Sequence, residues 1–173
     1  KGDWDDEEGW HASFDEWVAA LAKVDSAAVP KVVTKGEDED GIYVILSRIE
    51  GVSLSDLVNS GRFGVYAVRE FVRSLLEAGI SALREGIIHG AYDPRRIRVG
   101  VDGDGKQAFL VEDFGLPFIH QKIQKEVLFM GLSPFASVKQ AGGEAQDERG
   151  ELFSISQLVL YCFAAGHPYS SDG

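Results

Sequence analysis

The residues able to do chemistry gather in two short stretches, His89-Gly90-Ala91-Tyr92-Asp93-Pro94-Arg95-Arg96 and the pair Glu112-Asp113. Asp113 has two uses open to it. Its carboxylate can hold one divalent cation, or it can cap the turn in which it sits. Glu112 beside it adds negative charge that helps a cation and repels bare phosphate. Asp93 is a second carboxylate, available as a base. Two neighbours lack any acceptor. The Ala91 methyl takes neither a proton nor a hydrogen bond. The Arg96 guanidinium is always charged and has no lone pair for a metal, but it can stand where a cation would have stood.

These stretches need elements to position them. Ser13-Phe14-Asp15-Glu16 reads as a capping box opening a helix, with Phe14, Trp17, Val18, Leu21 and Val24 at helical spacing and Asp25-Ser26-Ala27 as its end. Residues 29–35 and 42–48 are β-rich and joined by an acidic turn, which predicts a hairpin. Glu50-Gly51 breaks the second strand, and Ser53-Leu54-Ser55-Asp56 caps a short helix through Val58. Val65, Val68, Phe71, Val72, Leu75, Leu76, Ile80 and Leu83 then share one helix face, closed by Gly86. Residues 97–101 and 108–111 pair across Asp102-Gly103-Asp104-Gly105, a hairpin that delivers Asp113. Residues 115–149 have no steady period and read as a long loop segment. Residues 151–165 form a helix apolar almost all round (Leu152, Phe153, Ile155, Leu158, Val159, Leu160, Tyr161, Phe163), which predicts burial at the domain centre.

The 173 residues fit one domain, and 45% apolar with 26% charged residues suits a soluble globular protein. A net charge of −11 gives no basic face for phosphates, so nucleic acid is disfavoured. The acidic runs at residues 3–8 and 37–40 read as solvated segments. No apolar run approaches the ~18 residues of a membrane span and no signal peptide opens the chain. The expected setting is the cytoplasm, or the cytosolic part of a membrane-anchored protein. Cys162 has no partner for an internal disulfide and reads as a small core residue.

In order, these pieces resemble the protein kinase fold, closest to bacterial Ser/Thr kinases, from about Phe14 to Tyr169. Tyr43-Val44-Ile45-Leu46-Ser47-Arg48-Ile49-Glu50-Gly51 resembles the strand and hinge between the two lobes, with Leu46 at the gatekeeper position. Ser53-Leu54-Ser55-Asp56-Leu57 resembles the helix after the hinge, residues 86–99 the catalytic loop, and Asp113-Phe114-Gly115 the metal-binding motif. Phe135-Ala136-Ser137-Val138-Lys139-Gln140 resembles the end of the activation segment. Glu151-Leu152-Phe153-Ser154-Ile155 and Gly166-His167-Pro168-Tyr169 resemble the central helix and the loop after it.

The resemblance implies an α+β kinase-like domain over residues 1–173. Residues 1–48 are a partial small lobe of one helix and a hairpin, and 49–173 the large lobe. Either lobe can be truncated or continue outside this chain. It also implies where the chemistry departs. Ala91 stands at the catalytic Asp, Arg96 at the second metal ligand, Asp93 at the Lys before the Pro, and Gly90 at the phosphate-sensing Arg. His89 reads as a packing residue, and Trp17 as a core anchor where a Glu is usual. Lys139 stands where a Glu pairs with a buried Arg, and Glu151 replaces the Asp that braces the loop. No glycine-rich loop or anchoring Lys occurs, and Ser133 is the only hydroxyl between residues 115 and 134. The leading expectation is a pseudokinase, not an enzyme, that recognises a protein partner as a scaffold or regulatory module. It carries no cofactor beyond a weak ATP·Mg interaction at Leu46, Arg48 and Asp113. The alternatives are a nucleotide-binding switch using Asp113 with Mg²⁺, and an atypical kinase using Asp113 and Asp93. Ile119, Ile123, Val127, Leu128, Phe129 and Met130 either pack on the central helix or form a contact patch.

Overall fold

A computed structural model describes residues 7–116, 134–142, 144 and 146–164. The acidic residues 3–6, the apolar set from Ile119 to Met130, Ser133 and the stretch from Gly166 to Tyr169 lie outside the described residues. The elements in chain order are α1 (Glu7–Lys23), β1 (Val32–Asp38), β2 (Gly41–Leu46), β3 (Gly51–Ser53), α2 (Leu54–Asn59) and α3 (Val65–Arg84). A 3₁₀ turn (Pro94–Arg96), β4 (Ile97–Val101), β5 (Gln107–Val111), α4 (Val138–Ala141) and α5 (Glu148–Ala164) follow. The class is α+β, as expected.

α1 begins earlier than the capping box predicts, so Ser13 lies inside it. Trp10 packs on Phe14 at 6.4 Å between ring centroids and extends the apolar stripe by a turn. Phe14, Trp17, Val18, Leu21 and Val24 are all buried, the face the spacing foretold. β1 and β2 form the antiparallel hairpin, with Val32 opposite Leu46 and Asp38 opposite Gly41. Ser53 caps α2 by accepting the Asp56 N–H at 3.0 Å.

Gly51 does not simply end a strand. It opens β3, which pairs antiparallel with β4, Gly51 opposite Gly100, making a three-stranded sheet in the order β3-β4-β5. The backbones approach so closely that a Cβ on Gly100 would lie 2.0 Å from the Glu50 carbonyl oxygen. The glycine pair is thus a packing requirement rather than a breaker.

α3 buries Val68, Phe71 and Leu75 in the core, where the Phe71 ring lies 5.4 Å from that of Phe109 on β5. Its two ends depart from the predicted stripe: Val65, Ile80 and Leu83 are exposed. α5 departs further. Ile155, Leu158, Tyr161 and Cys162 face the core, but Leu152, Leu160 and Phe163 are exposed. An apolar helix surface therefore did not mean burial all round; the described elements cover one side of α5 only. Part of the expected loop at 115–149 is regular, with Ser137 capping α4. Tyr161 ties α5 to α2 through its hydroxyl, 3.2 Å from Asn59 Oδ1.

Gly100→Ala should destabilise the chain by roughly 1–3 kcal/mol, because the added methyl must push the β3 backbone away. Gly103→Ala, where a Cβ meets nothing within 4 Å, should stay within about 0.5 kcal/mol. Urea denaturation of the two variants checks the contrast; equal effects would contradict the close approach.

Candidate functional site: the braced loop and the Glu112-Asp113 corner

The loop from Ile87 to Ile97 runs between α3 and β4. The Gly86 backbone at φ +75° reverses the chain after α3. Ile87 and Ile88 then bury, and the next two amides point at α5. Glu151 accepts both, from His89 N–H at 3.0 Å and Gly90 N–H at 2.8 Å. Gln140 of α4 donates its amide to the Gly90 carbonyl at 2.6 Å. Two helices thus grip one dipeptide.

His89 is wholly inside. Its ring stacks on Tyr92 at 4.3 Å and meets Phe114 edge-on at 5.2 Å. The Ala91 N–H donates to Nδ1 at 3.0 Å, so Nδ1 holds a lone pair, and Nε2, 3.1 Å from the Glu112 carbonyl, carries the proton. This fixes a neutral imidazole with both nitrogens in use. Burial pushes its pKa down to about 4; the Glu112 carbonyl opposes this, and the Arg96 charge adds to it. His89 is a packing residue.

Burial acts oppositely on Glu151, raising its pKa to about 7 despite the Gly90 and His89 N–H groups that favour the carboxylate. Burial, then the Glu151 charge, also hold the Tyr92 phenol well above its ordinary range.

Around this interior lies a row of charge pairs. Asp93 caps the 3₁₀ turn, accepting Arg95 N–H at 2.8 Å and Arg95 Nε at 3.0 Å. Burial works against its ionisation, but the Arg95 bonds and the Arg95 and Arg96 charges outweigh it and hold the carboxyl below its usual range. A carboxylate so engaged is a poor base. Arg98 Nε meets Glu112 Oε1 at 2.8 Å, and Arg96 pairs directly with the Asp113 carboxylate. Asp113 has φ +58°, a left-handed conformation that Asp tolerates better than most residues. The Phe114 ring after it is fully buried, and Trp17 Nε1–H donates to the Phe114 carbonyl at 3.2 Å. Gly115, at φ +76°, has no room for a Cβ, which would sit 2.9 Å from Trp17 Nε1.

The wiring between these residues was not legible in the sequence. His89, Ala91, Asp93, Arg96 and Asp113 come together as expected. Leu46 lies at the end of β2, packed against the core, and Arg48 follows in the connection to β3. Trp17 is more than an anchor, because its indole N–H ties α1 to the Asp113 turn. Lys139 pairs with Asp147 at 3.0 Å on the surface. Gln140 and the Arg98–Glu112 pair gave no signal in the sequence.

The resemblance implies a Mg²⁺ site here, and the residues do not fit one. The Asp113 carboxylate faces a guanidinium, the Ala91 and Arg96 side chains offer no oxygen, and among the described residues no group of three His, Cys, Asp or Glu side chains could hold a metal.

The pKa shifts fix a pH dependence. The folded chain keeps the Glu151 proton where the unfolded chain, at an ordinary 4.5, has released it. Its contribution is complete below about pH 4.5 and is lost as pH rises through about 7. His89, lowered from 6.5 to about 4, behaves oppositely and loses its contribution as pH falls. In Glu151→Gln the first dependence disappears. The stability difference between wild type and this variant should shift toward wild type as pH falls from 7 to 4.5, by roughly 1.4 kcal/mol per unit at most. Denaturant titrations across that range measure it; a pH-independent difference would contradict the raised pKa.

No protein-family model matches the chain. The serine/threonine-protein kinase PknL of Mycobacterium tuberculosis is 29% identical over 156 residues, which cover 88% of this chain and 38% of PknL. The serine/threonine-protein kinase pkn2 of Myxococcus xanthus is 26% identical over 167 residues, covering 93% of this chain and 20% of that protein. The chain therefore spans well under half the length of these relatives. Among solved structures, the PknI kinase domain of M. tuberculosis superposes with a TM-score of 0.67 at 17% identity, covering 96% of this chain and 61% of that one. Rad53 in complex with AMP-PNP gives 0.71 at 21% identity, covering 93% and 40%. These findings correct one expectation. The relatives matched along most of the chain are named as kinases, so they point to an enzyme, and the replacements at Ala91 and Arg96 do not establish that the chain is not one. The chain has the protein kinase fold and is similar along most of its length to bacterial serine/threonine kinases.

Proposed function

We propose that this chain is a regulatory unit of kinase fold whose braced loop forms a preset surface for a protein partner. The observation that carries the reading is the Glu151 grip on the His89 and Gly90 amides. A loop whose backbone is fixed by its own helices presents one shape before any partner arrives, which lowers the ordering cost of recognition. Around that backbone, Asp93, Glu112 and Asp113 each face an arginine. The net charge of −11 favours a protein partner over nucleic acid. Residues 1–48 would form the small-lobe part of this unit and 49–173 the large-lobe part.

A second reading has its own support. The relatives are named as serine/threonine kinases, and Rad53, of similar fold, is seen with AMP-PNP. In that reading Leu46 and Arg48 lie on the nucleotide side, Asp113 and Asp93 supply the carboxylates, and the hydroxyl of a protein substrate is the phosphate acceptor.

Hydrogen exchange separates the two. A preset surface predicts that the His89 and Gly90 amides exchange slowly and at the same rate with and without ATP and Mg²⁺. A change of tenfold or so on adding nucleotide would contradict a preset loop. Phosphate transfer from ATP that is lost in Asp113→Ala would establish the second reading.

A further inference from the structure

We propose that Arg96 is a built-in counter-ion that takes the cation position opposite Asp113 and so keeps divalent metal off the Glu112-Asp113 corner. The Arg96 side chain is 42% exposed and that of Asp113 38%, so ions in solution can reach the corner and burial does not exclude them. What stands in the way is a charge already in place.

Three features hold that charge there. The 3₁₀ turn carrying Arg96 starts with Pro94, whose φ is preset, and is capped by the Asp93 carboxylate. The Arg96 carbonyl accepts the Glu112 N–H at 2.9 Å, which fixes the arginine backbone beside the residue preceding Asp113. The Asp113 backbone is itself fixed in the left-handed region, next to the buried Phe114 ring. The adjacent carboxylate is treated alike, Arg98 Nε lying 2.8 Å from Glu112 Oε1. Neighbouring carboxylates would ordinarily attract a hard cation, and here each has its own guanidinium. Mg²⁺ or Mn²⁺ prefers oxygen ligands and keeps several waters. It could bind Asp113 only by displacing Arg96, leaving a permanent positive charge against its own.

Removing that charge while supplying an oxygen should open the corner. Arg96→Asn does both, and Arg96→Lys keeps the charge. The test is the broadening of backbone amide signals by Mn²⁺ in the whole chain. The exposed acidic turn at residues 37–40 serves as an internal reference that free carboxylates sense the ion. Wild type and Arg96→Lys should lose signals at 37–40 but keep those of Glu112 and Asp113. Arg96→Asn should lose both sets at the same Mn²⁺ concentration. Slow exchange at the His89 and Gly90 amides reports that a variant is folded, and Arg96→Gln gives the same reading if the Asn variant is not. Loss of the Glu112 and Asp113 signals in wild type would overturn the proposal, as would their survival in a folded neutral variant.

Discussion

One buried carboxylate sets the shape of this molecule's polar face. Glu151 reaches from the first helical turn of α5 to the backbone of His89 and Gly90 and accepts both amides. A fully desolvated carboxylate is costly unless its lone pairs are used, and two N–H groups from consecutive residues use both oxygens. The requirement runs in both directions. The loop needs an acceptor where its own backbone offers none, and the carboxylate needs donors where no water reaches. Between them they fix the direction in which residues 91–97 leave the core.

From that dipeptide the constraint passes inward and outward. Inward, His89 stacks on Tyr92 and meets the Phe114 ring, and the Phe114 carbonyl takes the Trp17 indole N–H from α1. The first and last described helices are therefore joined through four aromatic or imidazole side chains and two kinds of hydrogen bond. Outward, the loop lines up Arg95, Arg96 and Arg98 against Asp93, Asp113 and Glu112. Pairs this exposed add little stability individually. Their effect is local: each carboxylate that could serve a cation or a proton has a fixed positive partner. The interior is held by neutral His89 and by Glu151, whose pKa of about 7 lies far above the ordinary carboxylate value.

Much of this was legible in the residues. Helical spacing found the buried face of α1 and the middle of that of α3, Ser53 announced α2, and Asp102-Gly103-Asp104-Gly105 announced the β4–β5 hairpin. The order of these pieces carried the fold. Other features left no local trace. Gly51 read as a breaker because its partner, Gly100, is distant in the chain, and only the sheet shows that both must lack a Cβ. The exposed Leu152, Leu160 and Phe163 on α5 read as core because composition does not say which neighbours cover a helix. At the site, Ala91 was visible where the resemblance implies a catalytic Asp, but the pairing of Arg96 with Asp113 was not. Nor does a departure at one loop decide whether the family's activity is lost, and the kinase relatives overturned that expectation.

The central claim is that α1, the loop and α5 form one cooperative network rather than three separate contacts. A double-mutant cycle between Trp17→Phe and Glu151→Gln addresses it most directly, because the Phe114 carbonyl takes the Trp17 indole N–H, the Phe114 ring meets His89, and Glu151 accepts the His89 amide. A cooperative network predicts that the combined loss of stability in denaturant unfolding departs from the sum of the single losses by about 0.5–3 kcal/mol. Additivity within about 0.3 kcal/mol would show that the two ends act independently and would contradict it.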